Sequence, residues 1–227
     1  MNKRGEGQFI NLPRFGARLY DKLTQVHAVQ TQFKEIAQDL ISNLHEGRLL
    51  DIGTGPGKLL AEINQLNSNI DLFGLDISES MVQQAKKNLV DIKVDLRQGN
   101  IQHTDYPDDF FDVISCTGSF YLWNSPETCL EEIHRILKHG CSAYLFETYK
   151  DYNPDDFTKA LRANLQRENR LSKFLVPFFL KKQLRMTYQI NEFSEIFERT
   201  KFVKSFTVDK ITLAGLPIWL RIKLTKQ

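Results

Sequence analysis

Apolar positions along the chain change period repeatedly, and each change marks a predicted element. From residue 14 to residue 44 the spacing is helical. Phe15, Leu19 and Leu23 share a face, and Val26, Val29, Phe33, Ile36, Leu40 and Leu44 continue the stripe. Gly47 suits the position just beyond a helix, so the stop is expected at residues 45–47. Leu49, Leu50 and Ile52 then form a short apolar run broken by Asp51, the pattern of a buried strand. A helical pattern restarts at Leu59, Leu60 and Ile63.

The same alternation continues. Residues 70–75 read as a second strand ending in Asp76, and Ser78 is placed to cap a helix through Leu89, with Glu79 in its first turn. Residues 92–97 and 110–116 read as the third and fourth strands. Ser125, Pro126 and Glu127 open a helix whose apolar face is Leu130, Ile133, Ile136 and Leu137, with a stop at His139 and Gly140. Residues 142–148 read as the fifth strand. Asn153 and Pro154 open a further helix buried through Phe157, Leu161 and Leu165. The apolar run 174–180 follows, where Pro177 predicts a break in any helix. Residues 191–200 read as the last helix, and 202–208 and 218–224 as the last two strands. Strands alternating with helices predict an α/β fold. The polar, glycine-bearing residues 1–13 predict a poorly ordered arm.

The most informative stretch is the turn between the first strand and its helix. Glycine admits φ > 0 and lets a ligand approach where a Cβ would block it. The helix beyond presents bare N–H groups and a positive dipole end. A dinucleotide-binding turn needs G-x-G-x-x-G. Here Gly53, Gly55 and Gly57 run G-x-G-x-G, and Asp51 precedes the first by two positions. That spacing disfavours a nicotinamide-dependent oxidoreductase. The run resembles motif I, D-x-G-x-G-x-G, of the class I S-adenosylmethionine-dependent methyltransferases. It is most similar to the small-molecule group that includes the quinone-biosynthesis C-methyltransferases. The F-D-V-I at residues 111–114 resembles that family's fourth motif, and the L-K-H-G at 137–140 its L-K-P-G turn.

The resemblance implies a Rossmann-like seven-stranded sheet of order 3-2-1-4-5-7-6, strand 7 antiparallel, with helices on both faces. It covers residues 14–150 well and 190–225 in outline. The implied division of this single domain is an N-terminal helical extension (1–47), a cofactor-binding core (48–150), a helical lid insertion (151–190), and a last helix with a C-terminal hairpin (191–227). The implied cofactor is S-adenosyl-L-methionine, with Asp51, Gly53, Thr54, Gly55 and Gly57 in its loop. Asp76 ends the second strand, where a carboxylate can accept both hydroxyls of a ribose. Ile77 and Met81 follow it, and Met81 is as readily a core residue. Asn100 stands where the family carries an acid for the adenine amino group, and its side-chain carbonyl can accept the same bond. Ile101 and Thr117 complete the implied set. Tyr20, in a Tyr20–Asp21 pair, is implied to reach the cofactor; the alternative is a ring packed under the first strand.

No catalytic residue is assigned. His103, Tyr121 and Glu147 are candidate bases, required only where the acceptor must lose a proton. The segment 117–123, T-G-S-F-Y-L-W, is expected at the carboxyl edge of the sheet, where its aromatic residues could line a substrate pocket or belong to the core. It lacks the proline pair of base-amine methyltransferases and the proline–cysteine pair of cytosine C5 chemistry.

Composition narrows the class. The chain has 227 residues, 41% hydrophobic and 26% charged, which fits one globular α/β unit. No apolar run reaches the roughly 20 residues of a membrane span, and no apolar segment follows the first charges as in a secretory signal. Cys116, Cys129 and Cys141 lack metal-like spacing and read as reduced thiols of a cytoplasmic protein. The net charge of +2 is uneven. Residues 159–185 hold eight cations and one acid, Glu168, so that segment is +7 and the remainder −5. It reads as a lid over an amphipathic or anionic small molecule, as a surface for anionic lipid, or as a solvated basic face. No regular aromatic interleaving supports nucleic-acid binding. The function expected is methyl transfer to a small-molecule acceptor. The alternatives are a non-catalytic cofactor-binding module and a methyltransferase acting on RNA or protein.

Overall fold

The structure, a computed structural model, describes residues 14–42, 44–166 and 168–227. The arm expected at 1–13, Arg167 of the basic segment, and the side chains of Phe15 and Leu23 lie outside the described residues.

Two helices open the chain, α1 (Arg14–Leu23) and α2 (His27–Ile41). The continuous stripe is therefore split. Thr24 turns its hydroxyl onto the Asp21 carbonyl at 2.7 Å, and Glu168 accepts the His27 N–H at 3.1 Å, giving α2 its N-terminal cap. The helix ends before Gly47, which instead begins β1 (Gly47–Ile52). Gly47 has φ of 127°, and a Cβ there would lie 2.8 Å from Asp112 Oδ2. Only glycine fits beside the carboxylate that accepts the Arg48 N–H at 2.9 Å.

The next elements are α3 (Lys58–Leu66), β2 (Ile70–Asp76), α4 (Glu79–Asn88), β3 (Val94–Gln98), β4 (Phe111–Thr117), α5 (Pro126–Ile136) and β5 (Leu137–Thr148). Strand β5 starts five residues early: Leu137 pairs with Phe111, so L-K-H-G belongs to the strand rather than to a turn before it. The excursion is α6 (Pro154–Leu165) and α7 (Arg170–Met186). Asn153 caps α6 by accepting the Asp155 and Asp156 N–H groups.

Helix α7 contradicts the break expected at Pro177, which sits inside it. Proline removes one hydrogen bond and costs about 3 kcal/mol. The helix persists because Asn169 caps it, accepting the Ser172 N–H at 2.9 Å, and because Val176, Leu180 and Leu184 pack on the core below. Burying such side chains contributes about 1.5–3 kcal/mol each when complete.

Helix α8 (Ile190–Phe197) carries a reciprocal capping box between Gln189 and Glu192. Strand β6 (Phe206–Leu213) begins four residues later than its apolar pattern suggests. Phe202 is buried, but in a turn: its ring packs 5.2 Å from His134, and its N–H bonds the Thr200 hydroxyl at 3.3 Å. Strand β7 (Leu216–Thr225) closes the sheet.

The sheet order is β3-β2-β1-β4-β5-β7-β6. Strands β1 to β5 are parallel, and β7 is antiparallel to both neighbours. Each face buries its own core. One gathers Phe111, Phe120, Leu130, Ile133, Phe193 and Phe197 around α5 and α8. The other gathers Ile36, Leu40, Leu59, Leu60, Ile63 and Phe157 around α2, α3 and α6. The order reverses between β1 and β4, and in a doubly wound sheet the cleft at that switch point, beyond the strand carboxyl ends, is the ligand site.

Candidate active site

At that switch point the glycine turn and the ends of β2 and β4 enclose a cavity of about 290 Å³. Gly53, Gly55 and Gly57 have φ of 70°, 53° and 79°, left-handed values that an L side chain resists. The Gly53 and Thr54 N–H groups hook onto the Leu75 carbonyl at 2.8 and 3.1 Å. Asp76 ties the loops together. Its Oδ2 accepts the Gly55 N–H and its Oδ1 the Ser78 N–H, both at 2.8 Å. A carboxylate offers about four acceptor sites, so two remain for a ligand. Ser78 stands at the N-cap of α4 without a side-chain capping bond; the Asp76 carboxylate meets its N–H instead.

Nine of the twelve residues singled out in the sequence line this cavity: Tyr20, Gly53, Gly55, Asp76, Ile77, Met81, Asn100, Ile101 and Thr117. Asp51, Thr54 and Gly57 do not. Asp51 is buried below the turn, accepting the Ser115 hydroxyl at 2.9 Å. Gly57 makes room for α4, since a Cβ there would meet Leu89 Cδ1 at 2.7 Å. The Asn100 carbonyl is already engaged by the Gln102 N–H at 3.0 Å and keeps one lone pair for a ligand.

Tyr20 stands in the cavity wall, not under β1. Its neighbour Asp21 fixes it there. That carboxylate accepts Asn88 Nδ2 at 2.8 Å and pairs with Lys58 at 3.0 Å, while Asn88 also donates to the Pro56 carbonyl at 2.8 Å. Helix α1 is thereby fastened to the glycine turn itself.

Of the candidate bases, His103 is exposed and does not line the cavity, whereas Tyr121 does. Glu147 lies fully buried behind it. Its Oε1 accepts the Ser119 and Phe120 N–H groups, both at 2.7 Å, and its Oε2 is buried without a partner among the described residues. That geometry makes Glu147 the group that shapes the turn after β4. The wall residues the sequence did not single out for the cofactor include Ser119 and Trp123, within 117–123, and Phe179, Lys182, Gln183 and Met186 of α7. The +7 segment was the sequence signal for the latter group. The outer side of α7 exposes Phe174 and Phe178.

The electrostatics favour a cationic guest. Burial pushes Glu147 up to about 8, against the pull of its two backbone donors. Burial also pushes Asp51 up to about 7, while the Ser115 and Thr54 hydroxyls lower it. Asp76 is raised by burial too. Tyr20 is raised chiefly by burial and then by Asp76 and Glu147, and Tyr121 chiefly by burial and then by Glu147. Three carboxyl groups that ionise reluctantly around one cavity are relieved by a positive charge within it.

A pH dependence of stability follows. Both carboxyls hold their protons more tightly folded than unfolded. Their contribution is complete below about pH 4 and is lost as pH rises through about 7 for Asp51 and 8 for Glu147. Calorimetric melting of the ligand-free protein should therefore fall between pH 5.5 and 8.5, by on the order of 1 kcal/mol or more per group. Glu147→Gln should flatten the upper part of that fall. An unchanged slope in both Glu147→Gln and Asp51→Asn would contradict it.

The parallel sheet, the reversed hairpin and the three-glycine turn define the class I S-adenosylmethionine-dependent methyltransferase fold. Residues 50–145 match the family model described as a methyltransferase domain. That match spans under half of the chain, so residues 50–145 are similar to a methyltransferase domain, and the sheet around them has the class I fold. Among curated proteins it is 28% identical over 194 residues to a demethylmenaquinone methyltransferase of Lactobacillus johnsonii, covering 77% of this chain and 75% of that one. It is 30% identical over 95 residues to the uncharacterised methyltransferase YdaC of Bacillus subtilis, covering 42% of this chain and 52% of that protein. The chain thus spans from about half to three quarters of these relatives.

Solved structures share the fold. A plantazolicin methyltransferase crystallised with S-adenosylhomocysteine superposes with a TM-score of 0.71 at 16% identity, covering 94% of this chain and 91% of that one. An S-adenosylmethionine-dependent methyltransferase of Aquifex aeolicus gives 0.67 at 15% identity, covering 95% and 100%. The site fits this cofactor on its own chemistry. Asp76 keeps free acceptor sites, Ile77, Met81 and Ile101 form an apolar slot, and Gly55 leaves the turn open, since a Cβ there would meet nothing nearer than 3.9 Å.

Proposed function

We propose that this protein transfers the methyl group of S-adenosylmethionine to a small, amphipathic or anionic acceptor seated between the glycine turn and α7. The observation that carries this reading is Asp76, which locks both loops yet keeps acceptor capacity at the cavity wall. Bound there, S-adenosylmethionine supplies a methyl group on a sulfonium, with a neutral thioether as leaving group.

The chain's own residues then have separable tasks. Asp76 accepts the two ribose hydroxyls. Ile77, Met81 and Ile101 hold the adenine, with Asn100 at its edge. The turn at 53–57 accommodates the amino-acid end. Glu147 sets the backbone at 119–120. Tyr20, Tyr121 and Gln183 orient the acceptor, because proximity and alignment can provide much of such a rate. Helix α7 acts as the lid, with Lys182 supplying a cation at the cavity wall for an anionic group. The demethylmenaquinone methyltransferase relative supports a small-molecule acceptor.

The test is formation of S-adenosylhomocysteine from S-adenosylmethionine across a panel of phenolic, carboxylic and amine acceptors. Turnover with at least one acceptor, reduced in Gln183→Ala through a raised KM, is expected. Tight cofactor binding with no turnover on any of the panel would favour the non-catalytic reading.

A further inference from the structure

A second cavity, of about 150 Å³, adjoins the first. It lies between α2, α6, α7 and β7, and its walls are mainly apolar: Phe33, Ile36, Leu161, Val176, Leu180 and Trp219. The two cavities share Tyr20, Thr117, Gly118, Phe179 and Gln183 as a common wall. None of the glycine-turn residues lines the second one, so it is separate from the cofactor's own surface.

Its lining marks it as a place for a guest. The pocket is partly open, so its apolar side chains face water that a seated hydrocarbon would displace. A space of about 150 Å³ is of a size to take a hydrocarbon of benzene size.

We propose that this second cavity is an acceptor subsite for a hydrocarbon arm, so that the acceptor is a molecule with a polar reacting head and an apolar tail. The proposal rests on the methyl-transfer reading for the head's position. The tail fills the space between Phe33, Leu161 and Val176. The head remains at the shared wall beside Tyr20, Thr117 and Gln183. Helix α7 thus reads both parts of the molecule, Phe179 and Gln183 facing the two cavities and Val176 and Leu180 only the tail.

The chain's two tryptophans permit a direct test. Trp123 lines the first cavity and Trp219 the second, so Trp123→Phe leaves one indole reporting on the proposed subsite. Titrate this variant with 4-alkylphenols from ethyl to octyl, with S-adenosylhomocysteine present, and follow Trp219 emission. Affinity should rise about fourfold per methylene until the cavity is full. Val176→Phe and Leu165→Phe, each filling the tail space, should abolish that dependence while leaving S-adenosylhomocysteine affinity within twofold. A response that does not depend on chain length, or a chain-length dependence untouched by both filling variants, would overturn the proposal. Failure of S-adenosylhomocysteine itself to bind would instead strike the methyl-transfer reading, since the alkylphenol series reports the second cavity separately.

Discussion

Asp76→Ala should weaken S-adenosylhomocysteine binding about a hundredfold or more. The carboxylate already accepts the Gly55 and Ser78 N–H groups. Its remaining acceptor sites are proposed to take two ribose hydroxyls. Hydrogen bonds to a charged group contribute about 1.5–3 kcal/mol each, so losing two costs at least about 3 kcal/mol. Since 1.36 kcal/mol is tenfold, that is a factor above a hundred. Alanine also frees the Gly55 amide and loosens the turn, which adds to the loss. Asp76→Asn keeps one carbonyl acceptor and should fall in between. The check is calorimetric titration of variants whose circular dichroism and melting match the parent. An Asp76→Ala affinity within threefold of the parent would remove Asp76 from the binding site.

Gly53→Val should be the most destabilising single change in the turn, and Gly55→Ala should behave differently. Gly53 has φ of 70°, and a Cβ there would lie 2.8 Å from Ser119 Cβ, with Ser119 Oγ nearer still. Left-handed backbone costs a non-glycine residue roughly 1–2 kcal/mol. Overpacking adds about 1–3 kcal/mol, and valine's branching raises it further. A loss of about 3–5 kcal/mol lowers the melting temperature of a chain this size by about 10 °C or more. Gly55 has φ of 53° but open space around its Cβ direction, with Tyr20 Cε1 at 3.9 Å. Gly55→Ala should thus cost only the backbone strain, a few degrees in melting, yet place a methyl where the ligand approaches and weaken binding about tenfold or more. Differential scanning calorimetry and titration on both variants separate the effects. The reverse ranking in stability would mean that the turn is packed otherwise.

The site's frame was readable because its physics is local. Three glycines, an acid and two apolar runs fit into 13 residues, and Asp76 ends the next strand. That located both loops, while Tyr20, Ile77, Met81, Asn100, Ile101 and Thr117 came from the family resemblance. What escaped was set at a distance. Asp51 reads like a ligand-facing acid, but its carboxylate turns down to Ser115 on the neighbouring strand. Asp21 looked like half of a motif, whereas it fastens α1 through Asn88 and Lys58. Pro177 obeys a local rule that tertiary packing of Val176, Leu180 and Leu184 overrides. Phe202 carried a strand-like pattern into a turn because its ring was needed against α5. The wall supplied by α7 joins residues 182–186 to residues 53–55, a pairing that no sequence spacing encodes.

The central claim is that the cavity beside the glycine turn holds S-adenosylmethionine. Calorimetric titration of the purified protein with S-adenosylmethionine and S-adenosylhomocysteine, with NADH as a control, tests it most directly. Micromolar binding of both adenosyl ligands and silence with NADH is the expected result. Folded protein that binds neither adenosyl ligand, alone or with an alkylphenol present, would contradict it.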